Sequence, residues 1–310
     1  MQSRAGVLGL RYYTYMGRGL VNASERGGRP VEWSRGIQDA IHYIEDHITE
    51  ELEYTEIAKR AYVSCFHFQR IFSILCGYTL GEYIRNRRLT LAGLELISGN
   101  AKVIDVALKC CYDSPDSFTK AFTRFHGLTP SSVKNKGASL KSVAPLKIKL
   151  TLEGGNTMEY TIMEKDTITV IGTVREFNTE TSYAEIPKFW SEHYQSGNGK
   201  YVCGMFGICF NDDGECKTFS YMIADCFDAG KEFPEGFVTK TIPAATWAVF
   251  PCRGAMPKAL QDVNSKIWNE WLPNCREYVL AGDYNIEMYS DGDTASADYY
   301  SEIWIPVKKA

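Results

Sequence analysis

The sequence predicts a multidomain protein, with an all-α half and an α+β half joined by a short polar segment. Three observations lead there. Apolar residues recur at three- and four-residue spacing from Trp33 to about Val133. A Gly/Ser/Lys-rich stretch, "NKGASLKSVAP", follows and has the composition of a linker. Beyond it strands and amphipathic helices run strand-helix-strand-strand twice, the pattern of a duplicated α+β unit with an antiparallel sheet.

Residues 1–30 are rich in Gly, Arg and Tyr and lack an amphipathic period, so they read as a disordered extension or a mis-annotated start. The helical pattern begins abruptly at Trp33 and continues through Ile37, Ile41, Ile44 and Ile48. Two later stretches resemble each other, "EIAKRAYVSCFHFQRIF" from Glu56 and "DVALKCCYDSPDSFTKAF" from Asp105. Each has an acid, an apolar residue and Ala, then a turn, a serine, an aromatic, a basic residue and a closing Phe. Ser64 and Ser114 suit the N-cap, where a hydroxyl accepts from an otherwise unpaired amide. Pro115 follows at the first helical position, where its missing N–H is no loss. Ile57, Ala58, Phe68 and Phe72 would bury one helix pair, and Val106, Ala107, Phe118 and Phe122 the other. Each unit is a helix-turn-helix candidate. The expected division is 1–30, 31–136, a linker at 137–157, and 158–310.

Charge divides along the same line. Residues 57–136 hold 12 Lys and Arg against 5 acids, whereas the chain beyond Met158 carries 23 acids against 13 bases. A basic half joined to an acidic half implies two partners, one polyanionic. No apolar run is long enough to span a membrane. The 10 cysteines are scattered without a C-x-x-C pair, which fits a reduced cytoplasmic protein with small core thiols. Cys203, Cys209 and Cys216 lack a second Cys/His pair at finger spacing, so no metal site is expected, and no cofactor motif is present. His193, at a polar helix end, reads as a surface residue.

The helical half, from Trp33 to Asn135, resembles the DNA-binding domain of the AraC/XylS family. The likeness rests on both helix-turn-helix units, the connecting "EYIRNRRLTLAGLEL" and the closing "FHGLTP". It implies double-stranded promoter DNA as a partner, with each second helix entering a major groove. The first recognition helix would offer Phe66 to a thymine methyl, Gln69 to adenine and Arg70 to guanine. The second would offer Asp116, Ser117 and Lys120, with Arg87 among the basic residues touching phosphate. Tyr62 and Cys111 stand at the turns where the family often has Gly; a positive φ there would cost about 1 kcal/mol each.

The second half, roughly Met158 to Lys308, resembles the GyrI-like effector-binding domain. "SEIWIPV", "IPAATWAVF" and the two-fold repeat carry the likeness. It implies a small amphipathic organic cation held between aromatic rings, with a glutamate as counter-ion at Glu302. Setting "FSYMIADC" against "YSEIWIPV" from their serines pairs Tyr221 with Glu302 across a central groove. Trp190, Phe206, Trp268 and Trp304 are the other expected walls, since ring faces attract cations. The implied function is transcription regulation in response to an effector, through DNA affinity or contact with RNA polymerase. Two alternatives remain at this point: hydrolysis of small electrophiles by Glu302 and Tyr221, and a protein-binding module.

Overall fold

The computed structural model describes residues 30–99, 101–134, 139–147, 158–211, 214 and 216–310. The reading of residues 1–29 as an extension lies outside the described residues.

Helix α1 (Pro30–Asp46) buries Ile37, Ile41 and Ile44, the stripe set by their spacing. The first helix-turn-helix pairs α2 (Tyr54–Arg60) with α3 (Cys65–Cys76), and the second pairs α5 (Val103–Lys109) with α6 (Pro115–His126). Between them runs α4 (Leu80–Ile97), started by a capping box in which Thr79 and Glu82 exchange hydrogen bonds of 2.9 and 3.2 Å. The serines cap as expected: Ser64 Oγ accepts from His67 N at 3.3 Å and Ser114 Oγ from Ser117 N at 3.2 Å. Both recognition helices end on left-handed glycines, Gly77 and Gly127. Both turns are left-handed at non-glycine residues, Tyr62 with φ 57° and Cys111 with φ 58°.

Arg87 is not a phosphate contact here. Its guanidinium is buried, donating to Glu45 at 2.6 and 2.9 Å and to the Val143 carbonyl at 2.6 Å. Burial alone would raise the Glu45 carboxyl, but hydrogen bonds from Arg87 and Tyr83 outweigh it and hold it below its ordinary value. The polar stretch after α6 is also tied down where described. Val143 N donates to Thr90 Oγ1 at 3.1 Å and Leu146 N to the Tyr83 hydroxyl at 3.1 Å, so this stretch runs along α4.

The α+β half forms one antiparallel sheet in the order β1 (Thr161–Lys165), β6 (Ala245–Arg253), β9 (Tyr300–Lys309), β8 (Tyr284–Tyr289), β3 (Phe206–Phe210), β4 (Thr218–Cys226), β2 (Ile168–Asn178), β5 (Val238–Ile242). A short β7 (Tyr278–Leu280) adds to the end of β9. The repeats are β2, α7 (Ser182–Gln195), β3, β4 and then β6, α8 (Lys258–Lys266), β8, β9, and they meet where Ile208 faces Ile286. A π-helical turn continues α8 into α9 (Leu272–Asn274). α7 packs through Phe189 onto Phe177, Phe219, Tyr221 and Ile223. The α8 side packs Leu260 and Trp268 onto Phe250, Ile303 and Ile305. The opposite face has a cluster of strand residues alone, including Phe206, Met222, Trp247 and Trp304.

Helix α3 enters the helical face of this sheet. Its Phe66 joins the α7 cluster, while Phe68 and Ile71 share a core with Trp268. A disulfide links Cys65, the first residue of α3, to Cys216 in the β3–β4 connection. This corrects the expectation of uniformly reduced thiols, since two scattered cysteines become neighbours only through folding. His193 is likewise corrected: it is buried, with its ring nitrogens on the Val202 carbonyl (2.8 Å) and Thr173 Oγ1 (3.3 Å).

Candidate functional site

Between α7 and α8 the helical face opens into a cavity of about 1000 Å³, floored by β3, β4 and β8 and closed at one end by α3. Glu287 is among its lining residues. Its Oε2 accepts from the Tyr289 hydroxyl at 2.9 Å and the Tyr221 hydroxyl at 3.2 Å, and Tyr221 in turn accepts from Trp190 Nε1 at 3.0 Å. Burial raises both phenols well above their usual range, and the Glu287 charge reinforces it, so they remain donors. Two glycines make room. A Cβ on Gly207 would fall 2.2 Å from the Tyr221 oxygen, and one on Gly204, where φ is +85°, would fall 2.5 Å from the Trp190 ring. The Asp225 carboxylate fixes the loop before β3 by accepting from the amides of Cys203, Gly204 and Met205 at 2.7–2.9 Å.

A third partner of Glu287 comes from the other half of the chain. Arg70 Nη2, on α3, lies 3.9 Å from Glu287 Oε1, and Arg70 Nη1 lies 3.6 Å from Cys209 Sγ. The contact is loose, and Arg70 Nε is buried with no hydrogen-bond partner. Around it the rest of the face expected to read DNA is taken. Gln69 donates to the Cys216 carbonyl and accepts from Thr179 Oγ1 (3.0 Å), His67 Nε2 meets the Gly282 carbonyl (2.8 Å), and Phe66 lies edge-on to Phe219.

Of the residues expected to line an effector site, Trp190 and Tyr221 meet in this cavity. Glu302, Trp304, Phe206 and Trp268 are placed elsewhere. Tyr221 pairs across the ladder with Cys209, Cys209 with Asn285, and Glu287, two residues on, with Ile303. Glu302 therefore points to the other face, where Tyr300 Oη and Trp304 Nε1 donate to it at 2.5 Å each. A serine-to-serine alignment slips the repeats by one residue, and in a strand that exchanges the faces. Phe206 and Trp304 pack edge-on in the opposite cluster, where Lys165 Nζ lies 4.0 Å from the Trp304 ring centre. Trp268 is core, its indole bonded to Asn264. Glu287 was missed; its signal was an acid among alternating apolar residues in "YNIEMYS".

On the second recognition helix Asp116, Ser117 and Lys120 are exposed, as a DNA-reading face requires. Residues 57–136 match the family described as "Helix-turn-helix domain". The chain is 41% identical over 110 residues to the HTH-type transcriptional activator AarP of Providencia stuartii, covering 33% of this chain and 82% of that protein. This chain belongs to the AraC family of transcription regulators. The AraC-family half is also 37% identical over 100 residues to the regulatory protein SoxS of Escherichia coli K12, covering 32% of this chain and 94% of SoxS. Residues 161–307 match the family described as "Integron-associated effector binding protein", so this AraC-family regulator carries a C-terminal effector-binding domain. That domain resembles the structure of SAV2435 bound to tetraphenylphosphonium, at 28% identity and a TM-score of 0.43, covering 49% of this chain and 94% of that one. The second half matches an effector-binding family, which favours effector binding over hydrolysis. No helix among the described residues is long and apolar enough to cross a membrane.

Proposed function

We propose that the cavity binds a bulky amphipathic organic cation and that binding frees α3 to read DNA. The observation that carries this is the Arg70–Glu287 contact. Glu287 already holds a cation, supplied by the recognition helix itself. An effector with a fixed positive charge competes for the same carboxylate, while Trp190, Tyr221 and Tyr289 offer ring faces for cation–π attraction. Because the effector favours the state in which Arg70 has left, it shifts the population toward an exposed α3. Arg70, Gln69 and Phe66 then reach one major groove, and Ser117, Lys120 and Asp116 the next. Transcription activation in the cytoplasm, with RNA polymerase as partner, is the matching outcome.

Tetraphenylphosphonium serves as the probe cation. The expected result is quenching of tryptophan fluorescence and a raised unfolding temperature in the wild type, with affinity reduced about tenfold or more in Glu287→Gln. Equal affinity in Glu287→Gln and a weakened Glu302→Gln would place the cation on the opposite face instead.

A further inference from the structure

The disulfide crosses the same contact that Arg70 makes, yet belongs to neither the cavity nor the DNA-reading chemistry. Cys65 opens α3 and is nearly covered, whereas Cys216 is partly exposed; their Cα atoms are 5.4 Å apart, a separation that a disulfide spans. Eight other described cysteines are free, among them Cys110, Cys209 and Cys252 in the core. The two bonded thiols are 151 residues apart and join the two halves of the chain. A regulator that works where promoter DNA is kept meets a reducing thiol pool, in which a bridge of this kind forms under oxidation rather than persisting as a structural staple.

We propose that Cys65 and Cys216 form a redox site whose oxidant is a hydroperoxide, and that the disulfide pins the first recognition helix to the effector domain. The Cys216 thiolate attacks the peroxide O–O bond, giving a sulfenic acid and water from hydrogen peroxide. The Cys65 thiol then displaces hydroxide from that sulfur, forming the S–S bond and a second water. Two thiols are oxidised and one peroxide is reduced. Departure of α3 moves Cys65 away from Cys216, so reading by α3 and the disulfide exclude each other. A cation in the cavity removes Arg70 from Glu287 but leaves the covalent link in place. DNA reading by α3 thus needs reduction as well as an effector, whereas cation binding itself needs no thiol. Cys216 does not line the cavity, and it meets α3 through its bridge to Cys65 and through a backbone carbonyl that accepts from Gln69, which Cys216→Ser keeps.

The test uses the full chain, reduced or treated with hydrogen peroxide. Its probe is a duplex of about 30 base pairs, near three helical turns, enriched from a randomised pool by reduced protein with tetraphenylphosphonium present. The expected result is a Cys65–Cys216 peptide on non-reducing mapping, with affinity for the duplex about tenfold or more lower in the oxidised form. Dithiothreitol restores it, Cys216→Ser ignores peroxide, and amide exchange along α3 slows only in the oxidised wild type. A different disulfide, an unchanged α3 exchange or an equal peroxide response in Cys216→Ser overturns the proposal. Failure of tetraphenylphosphonium to bind in either redox form sinks the effector reading alone, because the exchange measurement on α3 requires no cation.

Discussion

The Arg70 guanidinium stands 3.9 Å from the Glu287 carboxylate, so a side chain suited to a guanine edge rests on the acid of the cavity proposed for the effector. Replacing Glu287 with Gln should therefore act in two opposite directions. Cation affinity falls, while DNA affinity without effector rises, because a mostly covered Arg70 left without its partner favours leaving. Fluorescence titration and gel shift on the same preparation check both. A fall in both affinities would show that Glu287 does not restrain α3.

Arg87 and Lys120 are both basic and both belong to the DNA-reading half, but they should fail differently. Arg87→Ala strands Glu45 in a mostly buried site and costs about 3 kcal/mol of stability. Lys120→Ala leaves urea unfolding unchanged and lowers the salt dependence of DNA binding by about one. A reduced salt slope in a folded Arg87→Ala would restore Arg87 as a phosphate contact.

Tyr62 holds a left-handed backbone with most of its side chain in solvent. Tyr62→Gly relieves the Cβ clash and gives up little packing, so it should stabilise the chain by roughly 1 kcal/mol, less the extra entropy of unfolded glycine. Chemical denaturation measures this directly.

Burial pulls the His67 imidazole below its ordinary value, with Arg70 adding to it and the Gly282 carbonyl and Asp283 opposing. Its Nδ1 has no partner, so protonation would bury an unpaired N–H. A depressed folded value means that the neutral ring contributes fully above about pH 6.5, the unfolded value. The contribution is lost as pH falls below that. His67→Gln should flatten the loss of stability between neutral and mildly acidic pH. The part that remains belongs in the same direction to buried His126, which desolvation also lowers.

What the sequence disclosed was local. Ser64, Ser114 and Pro115 announce helix starts through contacts within one turn, and Tyr62 and Cys111 mark left-handed turns by their place between two helices. Repeat detection also worked, because each strand-helix-strand-strand unit carries its own periodicity. Register between repeats did not. Placing Tyr221 opposite Glu302 requires a correct offset, and one residue of slip moves Glu302 to the other face while hiding Glu287. Long-range partners were equally invisible: Arg87 reads as a solvated basic residue until Glu45 is folded beside it. The covering of Phe66, Gln69 and Arg70 is of the same kind, since a surface suited to DNA is equally able to meet protein.

With α3 covered and Ser117 and Lys120 on α6 in solvent, the proposed mechanism makes the resting molecule a one-handed DNA reader. One helix in one groove permits only brief, salt-sensitive stays on any sequence, which favours sliding and hopping along the chromosome. On that mechanism regulation lengthens dwell time at the promoter instead of recruiting the protein from free solution. The signal acts on a searcher already in place.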